Sequence, residues 1–217
     1  MTDDPTGGDD DPTGGDDDPT GRGHGPTGGD SPVDATDATR NPTQEWPVVD
    51  SVTEYETGWF DAGYDRVAQP DGTEKNYYWA QLPAAVVVVA RTEDSVVFVD
   101  QYRPVIREQC LELPAGLVED GESYSEAAAR ELREETGFDP AGVSLLEEFW
   151  CTTGALRHRR GIAFAEGLEP VERDLDDNEF LSVTTVPIAE ALDVARRAPA
   201  NDATIEGILL ARSEGLL

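Results

Sequence analysis

Apolar and polar positions change their pattern near residue 42 of this 217-residue chain. Before that point a unit of the type DPTGGDD recurs, with Pro5, Pro12, Pro19 and Pro26 spaced seven apart. A seven-residue period suits a coiled coil only when apolar side chains fill the seam, and here none do. Glycine and proline also disfavour helix. Residues 1–41 are therefore expected to be a disordered acidic tail, and residues 42–217 a folded domain. From Trp46 onward, runs rich in β-branched and aromatic residues predict strands over Ser51 to Trp59, Ala62 to Ala68, Lys75 to Leu82 and Ser95 to Tyr102. Gln69-Pro70-Asp71-Gly72 reads as a turn. Ala84 to Arg91 is apolar without alternation, which predicts a central strand covered on both faces. Shorter or later strands are expected at Cys110 to Leu113, Val143 to Thr152, Gly161 to Leu168 and Phe180 to Val186, and helices at Ile188 to Arg197 and Asp202 to Ser213. The sum is an α/β fold, a mixed β-sheet sandwiched between α-helices.

Between the two groups of strands lies GLVEDGESYSEAAARELREETGF, residues 116–138. Ser123 followed by Glu126 fits a capping box, good helix formers run from Ala127 to Glu135, and Gly137 suits a left-handed stop. On such a helix Glu131 and Glu135 are one turn apart with Glu134 beside them. Ala127 and Ala128, near that face, are small enough to admit a ligand or another backbone. Two carboxylates about 5 Å apart repel by roughly 3 kcal/mol at an effective dielectric of 20. A helix side-chain pair returns only a few tenths of a kcal/mol, so something cationic is needed between them. Hard oxygen donors on a rigid helix suit Mg2+ or Mn2+. The carboxylates alone leave a solvated acidic face equally open. The added spacing of Gly116, Glu122, Arg130 and Gly137 favours the metal site.

Composition changes the picture in three ways. Acidic residues number 46 against 16 basic ones, a formal charge of −30, and only Lys75 is a lysine. Such a field repels phosphate backbones, which argues against nucleic acid or an anionic membrane as partner. The balance suits a cytoplasmic protein of a salt-accumulating organism, because salt screens self-repulsion. The fold is then expected to melt at a lower temperature in low salt than in molar KCl, and equal melting temperatures would overturn this halophilic reading. Cys110 and Cys151 lack metal-ligand spacing and are expected as buried, inert thiols. Histidine occurs only at His24 and His158, so carboxylates are left to carry the chemistry. No secretory or long apolar segment is evident, which favours a soluble, cytoplasmic protein.

The nine positions Gly116, Glu122, Arg130, Glu131, Leu132, Glu134, Glu135, Gly137 and Phe138 match the full signature of the Nudix hydrolases, and the chain resembles that family. Gln101-Tyr102-Arg103-Pro104, Glu112-Leu113-Pro114-Ala115-Gly116 and Asn201-Asp202-Ala203-Thr204 look like its ADP-ribose pyrophosphatase branch. The resemblance covers about residues 44–215 and implies metal-dependent hydrolysis of a nucleoside diphosphate derivative, with ADP-ribose giving AMP and ribose 5-phosphate. It implies that Glu131 and Glu135 bind Mg2+ or Mn2+, with Glu134, Glu122 and the Ala115 carbonyl completing or supporting the site. Arg130 would orient the carboxylates, Glu134 or Glu179 would serve in water activation, and Arg103 would contact substrate. Arg103 could equally form a surface ion pair. The branch also implies a homodimer.

One segment departs from the branch. Arg157-His158-Arg159-Arg160 places three arginines within four residues. Arg157 and Arg159 are open to two readings: contacts for a substrate phosphate, or charge balance against the acidic loop from Glu169 to Glu179. The departure also leaves room for another nucleotide sugar or a dinucleoside polyphosphate as substrate. A non-catalytic ligand-sensing domain is the remaining alternative, which the intact motif disfavours.

Overall fold

The structure, a computed structural model, describes residues 45–175 and 180–217. The acidic tail and Glu179 lie outside the described residues. In chain order the elements are β1 (Val48–Glu56), β2 (Asp61–Ala68), β3 (Glu74–Gln81), β4 (Ala85–Ala90), β5 (Ser95–Arg103), β6 (Glu108–Glu112) and β7 (Ala115–Leu117). They continue with α1 (Tyr124–Thr136), β8 (Phe138–Trp150), β9 (Leu156–Arg157), β10 (Arg159–Pro170), β11 (Leu181–Pro187), α2 (Ala191–Ala195) and α3 (Asp202–Ser213).

Among the described residues the strands form three sheets, ordered β1-β2-β3-β9, β7-β4-β10-β8 and β11-β5-β6. In the second, β4 runs parallel to β10 and antiparallel to β7, so that sheet is mixed. Its strand β4 explains the absence of alternation in the sequence. Val86, Val88 and Ala90 pack with Ala127, Ala128 and Leu132 of α1. Val87 and Val89 face the other way, into a core shared with Ile208 and Ala211 of α3. A strand clothed on both faces needs apolar residues at every position. Each valine so buried contributes about 1.5 kcal/mol or more. Ala127 and Ala128 thus admit another backbone, that of the sheet, and not a ligand.

The helix α1 begins and ends where local chemistry dictates. Ser123 and Glu126 form the reciprocal capping box, and Gly137 at φ 73° terminates the helix by donating its N–H to the Arg133 carbonyl. Elsewhere the expected bounds shift. The first strand stops at Glu56, because the Thr57 hydroxyl accepts the N–H groups of Trp59 and Phe60 and turns the chain. The strand after α1 starts at Phe138, directly past the cap, and not at Val143. The helix expected over Ile188 to Arg197 is confined to Ala191–Ala195. Its first expected residue instead donates its N–H to Asp94, and Glu190 at the cap supplies no side-chain hydrogen bond. Among the described residues no helix is long and apolar enough to cross a membrane.

Candidate active site

The edge strand β7 and the helix α1 build the site together. Val88 N–H donates to Pro114 O at 2.8 Å and Val118 N–H to Ala84 O at 2.9 Å, so residues 114, 116 and 118 bond toward β4. Alternation in an antiparallel ladder then turns the peptide groups of Ala115 and Leu117 outward. Ala115 N–H donates to Glu135 Oε2 at 3.0 Å, and Leu117 O accepts from Arg130 Nη2 at 2.8 Å. The unpaired side of the strand is therefore occupied by the motif helix, and the Ala115 carbonyl lies on the same outward edge.

Arg130 is the hub of the cluster. It binds both oxygens of Glu122, through Nε and Nη2 at 3.0 Å each, while Nη1 donates to Glu131 Oε1 at 2.8 Å and Glu134 Oε2 at 3.0 Å. The cation that the like charges require is thus provided first by the protein. These hydrogen bonds, that to Glu122 foremost, raise the Arg130 pKa further above its ordinary range. The same contact holds the Glu122 carboxyl below the usual carboxylate range. Glu131 and Glu135 are only 8 % and 3 % exposed.

These groups open on a cavity of about 510 Å3 lined by Ala115, Gly116, Arg130, Glu131, Glu134 and Glu135, with Trp59, Gln101, Arg103 and Glu119 also in its walls. One guanidinium is bonded to the carboxylates of Glu122, Glu131 and Glu134, and Glu135 on the next turn adds a fourth, which leaves a formal −3. Among the described residues no three carboxylate, imidazole or thiol side chains converge as a ready-made metal cage. Glu122, Glu131 and Glu134 are drawn onto Arg130 instead, and Glu135 onto the Ala115 N–H. The donor set nevertheless fits a hard divalent cation, being all oxygen, strongly anionic and partly desolvated.

Gly116 has a specific reason to be glycine. A Cβ added there would overlap the Glu131 carboxyl group. That group is the flexible end of a side chain, so it can move aside. Gly116→Ala is expected to leave the melting temperature near wild type while lowering kcat/KM by roughly a hundredfold through misplacement of Glu131. Wild-type kinetics in this variant would show that Glu131 need not sit against the strand.

The arginines predicted from sequence separate. Arg103 reaches the cavity, and its Nε also pairs with Glu112 at 2.7 Å. Arg157 and Arg159 are not brought to it. Arg157 pairs with Asp65 and lies 4.1 Å over the Trp79 ring, tying β9 to β2 and β3 of its own sheet. Arg159 pairs with Glu148 at 2.7 Å and stacks 4.8 Å over Trp150, and Arg160 meets Asp202 and Glu206 of α3. Among the described residues the acidic partners of these arginines are Asp65, Glu148, Asp202 and Glu206. Both cysteines are buried and free, and burial raises each thiol pKa, as suits inert groups. Sequence reasoning missed Trp59, Gln101 and Glu119 as cavity walls. The available signals were Gln101, beside Arg103 in the run Gln101 to Pro104, and Trp59 next to Gly58.

Comparison with known proteins agrees with this geometry. The NUDIX domain profile matches residues 80–206, and the chain belongs to the Nudix family. It is 31 % identical over 140 residues to an ADP-ribose pyrophosphatase of Bacillus subtilis, covering 63 % of this chain and 76 % of that protein. It is 34 % identical over 131 residues to a methanol dehydrogenase activator of Bacillus methanolicus, covering 59 % and 71 % respectively. A crystal structure of an ADP compounds hydrolase superposes with a TM-score of 0.72 at 23 % identity, covering 80 % of this chain and 98 % of that one, a likeness of fold.

Proposed function

We propose that this chain is a Mg2+- or Mn2+-dependent pyrophosphohydrolase that cleaves ADP-ribose to AMP and ribose 5-phosphate. The observation that carries the reading is the cluster of glutamates around Arg130, of which Glu131, Glu134 and Glu135 line a 510 Å3 cavity. The match to the Bacillus subtilis ADP-ribose pyrophosphatase supports the substrate. Glu131, Glu135 and the Ala115 carbonyl would hold the cation, with Glu134 adjoining them and Glu122 acting through Arg130. When bound, the divalent ion neutralises phosphate charge and acidifies water.

The chain's own groups do the rest. Arg130 fixes Glu131 and Glu134 by charge-assisted hydrogen bonds. Arg103 presents positive charge to the diphosphate. A carboxylate accepts the proton of the attacking water while a new P–O bond forms and the bridging P–O bond breaks. Glu134 suits that task because its side chain is 39 % exposed, and Glu179 is the second candidate. The test is purified protein in high salt with Mg2+ or Mn2+, offered ADP-ribose, other nucleotide sugars and dinucleoside polyphosphates, with products identified. AMP and ribose 5-phosphate from ADP-ribose are expected, and no hydrolysis of any of these would overturn the assignment.

A homodimer through the first sheet belongs to the same proposal. Strand β1 is an edge strand, and Val48, Val49 and Tyr55 on it are exposed. Light scattering in molar KCl is expected to give twice the chain mass, and a monomer would end the idea.

A further inference from the structure

Glu112 is a buried carboxylate with no part in the mechanism so far. It stands in the apolar run Cys110 to Leu113 and is only 6 % exposed. Its Oε2 accepts from Arg103 Nε at 2.7 Å and from Gln101 Nε2 at 3.2 Å, and its Oε1 accepts from Asn201 Nδ2. Asn201 in turn caps α3, its Oδ1 accepting the Thr204 N–H at 2.7 Å. The next residue, Leu113, donates its N–H to Thr204 Oγ1 at 3.1 Å. Glu112 is therefore the junction of β5, β6 and the start of α3, two residues ahead of Pro114. A buried charge is a costly way to make such a junction unless the charge itself is used.

Its use is legible at Arg103. Glu112 takes only the Nε side of that guanidinium, and among the described residues no acceptor takes the two terminal nitrogens. Arg103 also stands in a wall shared by two cavities. One is the 510 Å3 cavity with Glu131, Glu134 and Glu135; the other, of about 340 Å3, is lined by Leu113, His158 and Asn201. A guanidinium fixed by Nε keeps both Nη groups in one plane, ready for the bidentate recognition of phosphate oxygens. We propose that Glu112 is a positioning residue: it aims the terminal N–H groups of Arg103 at a phosphate of the substrate, where the two cavities meet. The proposal rests on the diphosphate hydrolase reading.

A strut and a positioning residue differ in whether their effect passes through Arg103. Glu112→Gln keeps the volume but offers one acceptor and one donor in place of two acceptors. It cannot satisfy Arg103, Gln101 and Asn201 as before. Glu112→Asp keeps the charge and withdraws it from Arg103, and it serves should the Gln variant not fold. Steady-state kinetics on ADP-ribose are to be measured for each, alone and combined with Arg103→Ala. Glu112→Gln alone is expected to raise KM roughly tenfold with kcat little changed. In the Arg103→Ala background the same change is expected to add nothing further. Equal losses in both backgrounds, or an unchanged KM in the singly substituted proteins, would overturn the positioning role while leaving the hydrolase reading intact. Absence of turnover in the unsubstituted protein would overturn both.

Discussion

Glu135→Gln is expected to lower kcat/KM at limiting Mg2+ by roughly a thousandfold, about 4 kcal/mol of transition-state stabilisation. The substitution is nearly isosteric, and the amide oxygen of glutamine can still accept the Ala115 N–H that Glu135 Oε2 now takes at 3.0 Å. The fold is thus expected to persist, with an unchanged circular dichroism spectrum. What disappears is one negative charge, 3 % exposed, on the face that must attract a divalent cation. Raising the metal concentration should recover part of the loss, because the defect is one of affinity first. Glu134→Gln is also expected to lose most turnover, but without recovery at high metal if Glu134 handles the proton. Near-wild-type rates in both variants would remove the glutamates from the chemistry.

How much of this was legible in the sequence depends on the range of the interaction that specifies each part. Helix α1 was legible to the residue because its start and stop are set by neighbours: Ser123 with Glu126, and Gly137 with Arg133. Strand β4 was legible because burial on both faces writes itself as an unbroken apolar run. Strands β7 and β9 were not, being three and two residues long and defined by their partners and not by their own pattern. The division into three sheets likewise rests on pairings that no local window contains. The same logic governs the side chains. The order of Glu122, Arg130, Glu131, Glu134 and Glu135 fixed their meeting on one helix and its preceding loop. The partner of Arg157 is Asp65, 92 residues away, a pairing that no local window contains. Glu112 was visible as the first residue of the run Glu112 to Gly116, but its partners were not: the antiparallel register of β5 and β6 sets it opposite Val99, and the long side chain of Arg103 reaches back to it.

Arg130→Met is expected to destabilise the domain by about 3 kcal/mol, a fall in Tm of roughly 6–12 °C. The Arg130 side chain is 21 % exposed, and those of Glu122 and Glu131 are 15 % and 11 %, so water replaces the lost partner poorly. Methionine fills much of the space but leaves Glu122, Glu131 and Glu134 facing one another with nothing between them. Lysine at 130 would keep the charge yet lack the fork that grips both oxygens of Glu122, and should fall between the two. The effect carries a pH signature. The guanidinium lowers the Glu122 pKa in the folded state, so the stabilisation is complete above the ordinary carboxylate pKa. It is lost as pH falls through the depressed one. Thermal melts of the wild type and Arg130→Met should therefore differ most at neutral pH and converge in acid. A difference that stays constant from neutral pH into acid would mean that Arg130 contributes by packing and not by charge. The cluster would then have no need of a cation, whether from the protein or from solution.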